Sequence, residues 1–471
     1  MRTEWIALLP GVLACWIGFG QSLQAAFLAV YLPVLLLIPD YFRLPIDGLP
    51  DPTFSQAAIL PIGLAVCWKA FSKREWTFTS LDFCVLVYVA WQFISDFHNV
   101  GLADAQNLGF DTVTLALFPY ICGKALIERY DLRAIFARRF VWLLFVVAII
   151  SVYEFRMGDS LFRPVFGRFF PGQDTTWFTQ MRWGFGRIAG PYGHAILMGC
   201  ILSIALLLCV WLSRSRQWET HFKVLGEVPF TKQQILAFGL VAGMVMTLSR
   251  GPWLGAVSGL ILASVGFSVN TRKAFKRNAA LLVLIAVLVY AGGKAYIANS
   301  PQPAETLSHG LIVPDATEVE QSTAYRAVLF DKYVEIVMQR PYWGWGRFNW
   351  PQVPGMSSID NNYLFIALNT GLLGVAVFLT MLMVACWRLV RSGIATEPQD
   401  FTDRAFFFTM LGVIVSVTVS TASVFMGSQL YPLLFLFLGW ADACTIGQSE
   451  TAEASHAELD AATFDLVGVV A

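Results

Sequence analysis

Residues 192–213 read YGHAILMGCILSIALLLCVWLS, a run without Asp, Glu, Lys or Arg and without alternation of apolar and polar positions. A helix needs roughly 20 apolar residues to cross about 30 Å of hydrocarbon, and in lipid every backbone polar group must be satisfied internally. The run therefore predicts a membrane-spanning helix, and its lack of a two-residue period excludes an outer-membrane barrel. Working outward, comparable runs lie near 5–19, 22–39, 56–72, 79–96, 108–125, 138–156, 233–249, 252–270, 278–297, 361–387, 405–425 and 428–446. The expected fold is all-α: a polytopic transmembrane helical bundle of about 12–13 spans, the lower count applying if the first two runs form one unit or a re-entrant hairpin. Residues 1–446 are expected to form a single transmembrane domain.

Composition agrees. Of 471 residues, 56% are hydrophobic and only 14% charged, and the mean hydropathy is +0.61, which excludes a soluble domain of this size. Lys and Arg (32) balance Asp and Glu (32), so no net charge points to nucleic acid. The run 5–19 follows Met1 and Arg2 as a signal peptide would, but no small-residue cleavage site precedes the next run, so retention is expected. The eight cysteines lie mostly in apolar runs, form no C-x-x-C pair and read as small packing residues, with no metal site.

Short loops rich in Lys and Arg, among them Arg129 to Arg139, Arg214 to Lys232 and Arg272 to Arg277, should face the cytoplasm. Alternation then sends two long loops to the periplasm, about 156–192 and 299–360, each expected to hold a short amphipathic helix. The tail 447–471 carries Glu450, Glu453, Glu458, Asp460 and Asp465 without Lys or Arg, and is expected to be cytoplasmic and disordered. Outward-facing cations are almost all arginine: Arg43, Arg156, Arg163, Arg168, Arg182, Arg187, Arg250, Arg326, Arg340 and Arg347, against Lys294 and Lys332. The planar arginine fork suits bidentate phosphate binding, whether the phosphate belongs to a ligand or to lipid headgroups.

Four constellations stand out. Arg187-Ile188-Ala189-Gly190-Pro191-Tyr192-Gly193-His194 introduces a membrane helix whose unpaired N–H groups could hold an anion, with His194 either a ligand contact or an interfacial histidine. Ser249-Arg250-Gly251 joins two spans with almost no loop and leaves an arginine at the mouth of the bundle, as a ligand group or a snorkelling anchor. Tyr325, Val328, Leu329, Tyr333, Ile336 and Val337 make an apolar stripe from about Ser322 to Gln339, with Arg326 at its edge, before Pro341. Last come Trp343-Gly344-Trp345-Gly346-Arg347, whose aromatic faces suit sugar stacking or an interfacial belt, and Asp360-Asn361-Asn362-Tyr363-Leu364 leading into Gly371-Leu372-Leu373-Gly374.

Ser-Arg-Gly at a hairpin, an arginine-bearing helix, Pro-x-x-Gly-x-Gly from Pro341 to Gly346, then Asn-x-Tyr-Leu ahead of a Gly-x-x-Gly helix occur in an order that resembles the O-antigen ligase and polysaccharide polymerase family. The likeness is densest over about 235–385. It implies a glycosyltransferase on the periplasmic face of the bacterial inner membrane, taking an undecaprenyl-diphosphate-linked glycan donor and a glycan acceptor, without cofactor or metal. Arg250 and Arg326 match the family's arginines implicated in holding diphosphate. Family ligases commonly have His-Asn where this chain has Asp360-Asn361, a departure that favours an exopolysaccharide or O-antigen polymerase over transfer to lipid A core. Asp360 is then the candidate general base, its other reading being a helix N-cap. Arg187, His194, Arg340, Arg347, Asn361 and Tyr363 are candidate substrate contacts. Flippase and chain-length or export proteins would be the partners, besides the lipid bilayer. A transporter of polysaccharide or lipid-linked glycan is the rival class, resting on the intramembrane acids Asp82, Asp111 and Glu154.

Overall fold

A computed structural model of the chain describes residues 3–46, 48–73, 76–173, 178–218, 231–299, 318–347, 349–354, 356, 358–397 and 400–446. The expected acidic tail lies outside these residues. Sixteen helices follow in chain order among them, with one two-stranded hairpin. The first half contributes α1 (Thr3–Gly20), α2 (Leu23–Leu37), α3 (Phe54–Ser72), α4 (Ser80–Val100), α5 (Leu102–Thr112), α6 (Phe118–Leu126), α7 (Arg133–Met157) and the short α8 (Phe162–Gly167). Strands β1 (Met181–Arg182) and β2 (Phe185–Gly186) follow. Then come α9 (Ala195–Arg214), α10 (Lys232–Met246), α11 (Arg250–Gly266), α12 (Thr271–Asn299), α13 (Glu318–Gln339), α14 (Asn362–Ala395), α15 (Phe401–Ser420) and α16 (Gly427–Ile446).

Nine helices among the described residues are long and apolar enough to cross a membrane, so the chain is an all-α, multi-pass membrane protein. The remaining expected spans are helical as well. Leu23–Leu37 and Lys232–Met246 are shorter apolar helices, α11 has 17 residues, and α5 runs into α6 through a π-turn over Val113–Leu117. At 1.5 Å per residue, α10 and α11 reach only about 23 and 26 Å, short of the ~30 Å hydrocarbon layer. Their joining turn therefore lies within the bundle: Thr247, Leu248 and Ser249 are all buried.

The apolar run 192–213 forms the centre of the bundle as α9. In α9, 94% of the apolar window is buried inside the protein, as expected of a helix that is hydrophobic on every side. Against it, α11 and α15 meet backbone to backbone. A Cβ at Gly259 would stand 2.7 Å from the Gly412 carbonyl oxygen, and one at Gly266 would stand 2.7 Å from Ala405 Cα. Only small residues permit that approach, which in lipid supplies the packing energy that water would otherwise drive.

One end of the bundle carries the basic loops and a buried ion cluster. Lys124 Nζ lies 2.7 Å from Asp442, which Arg388 also meets at 2.6 Å, and Lys124 donates to Asp82. The opposite end carries the long loops. There Gln173 and Arg43 exchange two hydrogen bonds of 2.9 Å, and Tyr192 donates to the Leu36 carbonyl at 2.8 Å. The amphipathic helix α13 lies on that end: Leu329, Tyr333, Ile336 and Val337 form a second apolar cluster with Trp350, Met356, Ile359 and Leu364. The loop Pro341–Gly346 threads a break in α14, where Gly371 adopts φ 72° and ψ −178°; the Leu372 N–H donates to the Pro341 carbonyl at 2.7 Å and the Trp345 N–H to the Leu368 carbonyl at 2.8 Å.

Candidate functional site

The α10–α11 turn is built to be gripped. Leu248 takes the left-handed conformation at φ 49°, which turns carbonyls at the end of α10 toward the loop-bearing end. Arg187, buried, donates to the Thr247 carbonyl at 3.3 Å, to Ser249 Oγ at 2.7 Å and to Gln180 Oε1. Arg182 donates to the Leu248 carbonyl at 2.7 Å. Guanidinium groups at the C-terminal end of α10 also satisfy carbonyls that the helix leaves unpaired. Both arginines come from the β1–β2 hairpin, whose two-residue turn is Trp183-Gly184 with φ 53° and 78°, the left-handed pair that a tight hairpin requires.

Arg250 is the first residue of α11 and is exposed; no hydrogen bond or ion pair reaches its side chain among the described residues. Gly251 follows because no Cβ fits there: it would stand 2.2 Å from Ser423 Oγ. His194 is the N-cap of α9, its Nδ1 accepting the Ile196 N–H at 3.1 Å. That bond occupies the Nδ1 lone pair, so in the neutral ring the proton sits on Nε2. A cavity of about 220 Å³ is lined by Arg182, Arg187, His194, Ser249, Arg250 and Asp360, together with Gln180, Ile196, Gly251 and Ser423. Three arginines thus face one carboxylate, leaving a net positive site.

Asp360 is half-buried and accepts a hydrogen bond from Ser358 Oγ at 2.9 Å. It does not cap α14. Asn361 does, its Oδ1 accepting from the N–H groups of Tyr363 at 2.9 Å and Leu364 at 3.1 Å. Asn361 therefore moves from expected substrate contact to helix cap. Tyr363 is likewise spent in packing, its hydroxyl donating to the Thr418 carbonyl at 2.8 Å and fixing α14 to α15.

Two expected arginine contacts lie elsewhere. Arg347 is paired with buried Asp96 at 2.6 Å and also donates to Thr112 Oγ1 at 2.8 Å and to the Leu108 carbonyl; it pins the loop to α4 and α5. Arg340 donates to Asn99 Oδ1 at 3.0 Å and stacks 4.1 Å over Trp345. Arg326 falls within α13, three residues before Leu329, and its side chain lies outside the described residues. Arg163 and Arg168 stack on Phe178 and Phe169, as interfacial anchors do. The cavity adds Arg182, Gln180, Ser249 and Ser423 to the expected set. Arg182 had a sequence signal, the same cationic loop as Arg187 and a Trp-Gly turn between them, and Ser249 stands in the Ser-Arg-Gly turn itself; Ser423 had none.

A larger cavity, about 1600 Å³, opens at the basic end, where three of its cations are met by carboxylates: Lys124 by Asp82 and Asp442, Arg133 by Glu128 and Asp403, Arg388 by Asp442. The acids that suggested transport are also engaged. Asp82 binds Lys124; Asp111 accepts from Arg43 at 3.3 Å and Gln56 at 2.6 Å; Glu154 accepts from Thr179, Ala189 and Gly190.

No curated protein matches the chain. Residues 235–379, which run from α10 through α11 to α13 and the first half of α14, match the O-antigen ligase family. Arg250, Ser249 and Asp360 of the cavity all lie inside that match, so the cavity falls within the region of this membrane protein that is similar to the O-antigen ligase family.

Proposed function

We propose that the protein is a membrane glycosyltransferase that polymerises undecaprenyl-diphosphate-linked oligosaccharide repeat units on the periplasmic face of the bacterial inner membrane. The observation that carries this reading is the meeting of Arg182, Arg187 and Arg250 with Asp360 in one cavity at the loop-bearing end. Its volume of about 220 Å³ is below the roughly 300–1,000 Å³ of pockets that enclose a whole ligand. It suits the charged diphosphate and leaves lipid and sugars outside. A diphosphate diester carries one negative charge on each phosphate, and the excess of arginine over carboxylate matches it.

The reaction follows from that arrangement. An acceptor sugar hydroxyl attacks the anomeric carbon of the donor; the new C–O bond forms as the bond to phosphate breaks, with inversion at carbon. The hydroxyl proton passes to Asp360, and the electron pair leaves with undecaprenyl diphosphate. Arginines fixed by the β1–β2 hairpin and the α10–α11 turn stabilise the leaving charge without reorganising. His194, with its proton on Nε2, serves as a hydrogen-bond donor to phosphate and leaves proton abstraction to Asp360.

Ligation to a lipid A core differs only in the acceptor, and the family match favours it as the second reading. Purified protein in liposomes with a lipid-linked oligosaccharide tests both. Elongation without core oligosaccharide supports polymerase; product only when core is added makes it a ligase; translocation without bond formation makes it a transporter. Asp360→Asn, folded as the parent, should lose at least about 100-fold in rate; full activity removes Asp360 from the mechanism.

A further inference from the structure

The arginine hairpin has a hidden anchor. Glu154, in the last turn of α7, is 1% exposed, and a carboxylate so buried persists only when its lone pairs are satisfied. Its Oε1 accepts from Thr179 Oγ1 at 2.8 Å, and its Oε2 accepts the N–H groups of Ala189 at 3.1 Å and Gly190 at 2.9 Å. Thr179 immediately precedes Gln180, and Ala189 lies two residues beyond Arg187. One side chain thus holds both ends of the segment that supplies Arg182 and Arg187 to the cavity.

Two further contacts place the segment against α7. Phe155 and Phe185 stack at 4.7 Å, and a Cβ on Gly186 would stand 2.4 Å from the Glu154 carbonyl oxygen; these set how close the hairpin approaches, not where it lies along the helix. Directional hydrogen bonds from a charged acceptor set that register, and they are the stronger kind.

We infer that Glu154 is a positioning residue for diphosphate binding: it touches no substrate and acts by fixing Arg182 and Arg187 toward the cavity. The inference rests on the diphosphate reading above. An acid that carried protons or ions would have its oxygens toward a pathway, whereas here both are held by one surface segment.

The test uses the full-length protein in detergent, with undecaprenyl diphosphate as probe, and measures Kd and Tm on each variant. Glu154→Gln keeps one acceptor oxygen but replaces the other with a donor, and should weaken binding about tenfold or more; Thr179→Val, which removes one of the three hydrogen bonds, should weaken it about threefold. Thr179→Ser should bind as the parent. A merely structural role would lower Tm and leave the Kd of the folded fraction unchanged, and that result overturns the inference. Should Glu154→Gln not fold, Thr179→Val decides alone, an unchanged Kd overturning it. Arg250→Ala separates the two claims: if it abolishes binding while Glu154→Gln does not affect it, positioning fails and the diphosphate reading stands. If the parent does not bind the probe, or Arg250→Ala binds it equally well, the diphosphate reading itself fails.

Discussion

Arg250 and Arg187 are the same residue type on facing segments with different duties. Arg187 is held by the turn it grips, so its removal would loosen the turn as well as the charge, and its phenotype would be mixed. Arg250 holds no other side chain or carbonyl among the described residues, so Arg250→Ala should leave Tm unchanged and slow glycosyl transfer by about 100-fold or more, the scale seen when one donor to a developing anion is deleted. Arg250→Lys, a point charge without the fork, should recover only part of that. A second residue gives a pH signature. Asp40, in the loop after α2, accepts from Ser55 Oγ at 2.7 Å while its Oδ2 has no hydrogen-bond partner among the described residues, and burial raises its pKa from 3.8 to about 6. Between those values the folded state binds the proton that the unfolded state has lost, so stability falls as pH rises through that window and is lowest above pH 6. Thermal unfolding should therefore show a higher Tm at pH 5 than at pH 7, and Asp40→Asn should raise Tm at pH 7 by removing a penalty of order 1–3 kcal/mol. A Tm that rises with pH over that interval in the parent would contradict it.

At the level of elements, legibility in the sequence tracked how local the cause was. Apolar runs announced the spans because hydrocarbon thickness acts on each run separately, and the stripe Leu329, Tyr333, Ile336 and Val337 announced α13 because its partner surface is a single cluster. In Trp343-Gly344-Trp345-Gly346-Arg347 the aromatic faces suit sugar stacking or an interfacial belt, but the reason for the glycines is remote. Gly344 sits at φ 68° with its Cβ position 2.5 Å from the Asn369 carbonyl, so the glycines exist to let this loop enter the break at Gly371. Neither half of that contact is visible until α14 is known to kink. Asp360 and Asn361 show the same limit, since adjacent residues with similar capping propensity were divided between cavity and helix cap by the direction of one turn. Gly344→Ala should cost about 2–4 kcal/mol from left-handed strain and overpacking together. It should lower Tm while leaving Arg250 in place; an unchanged Tm would show that the loop can leave the break without penalty.

Across the whole molecule, the two ends differ in how charge is treated, and that difference bears on orientation. At the basic end cations are neutralised by carboxylates within the bundle, as at Lys124, Asp82, Asp442 and Arg388. At the loop-bearing end Arg182, Arg187 and Arg250 line one cavity with a single carboxylate, Asp360, a cationic site that would be an unselective trap for nucleotides in the cytoplasm but not in the periplasm. The lysine- and arginine-rich short loops point the same way, because such loops are retained on the cytoplasmic side. Leu49, in the loop after α2, and Val269, in the turn after α11, are both exposed, at 59% and 98%. In intact spheroplasts a membrane-impermeant maleimide should label Leu49→Cys at once and Val269→Cys only after lysis, with the parent chain, whose eight cysteines are buried or half-buried, as background. The reverse pattern would place the arginine cavity in the cytoplasm, where lipid-linked glycans are assembled rather than joined, and the polymerase reading would have to give way to a cytoplasmic reaction on the same diphosphate chemistry.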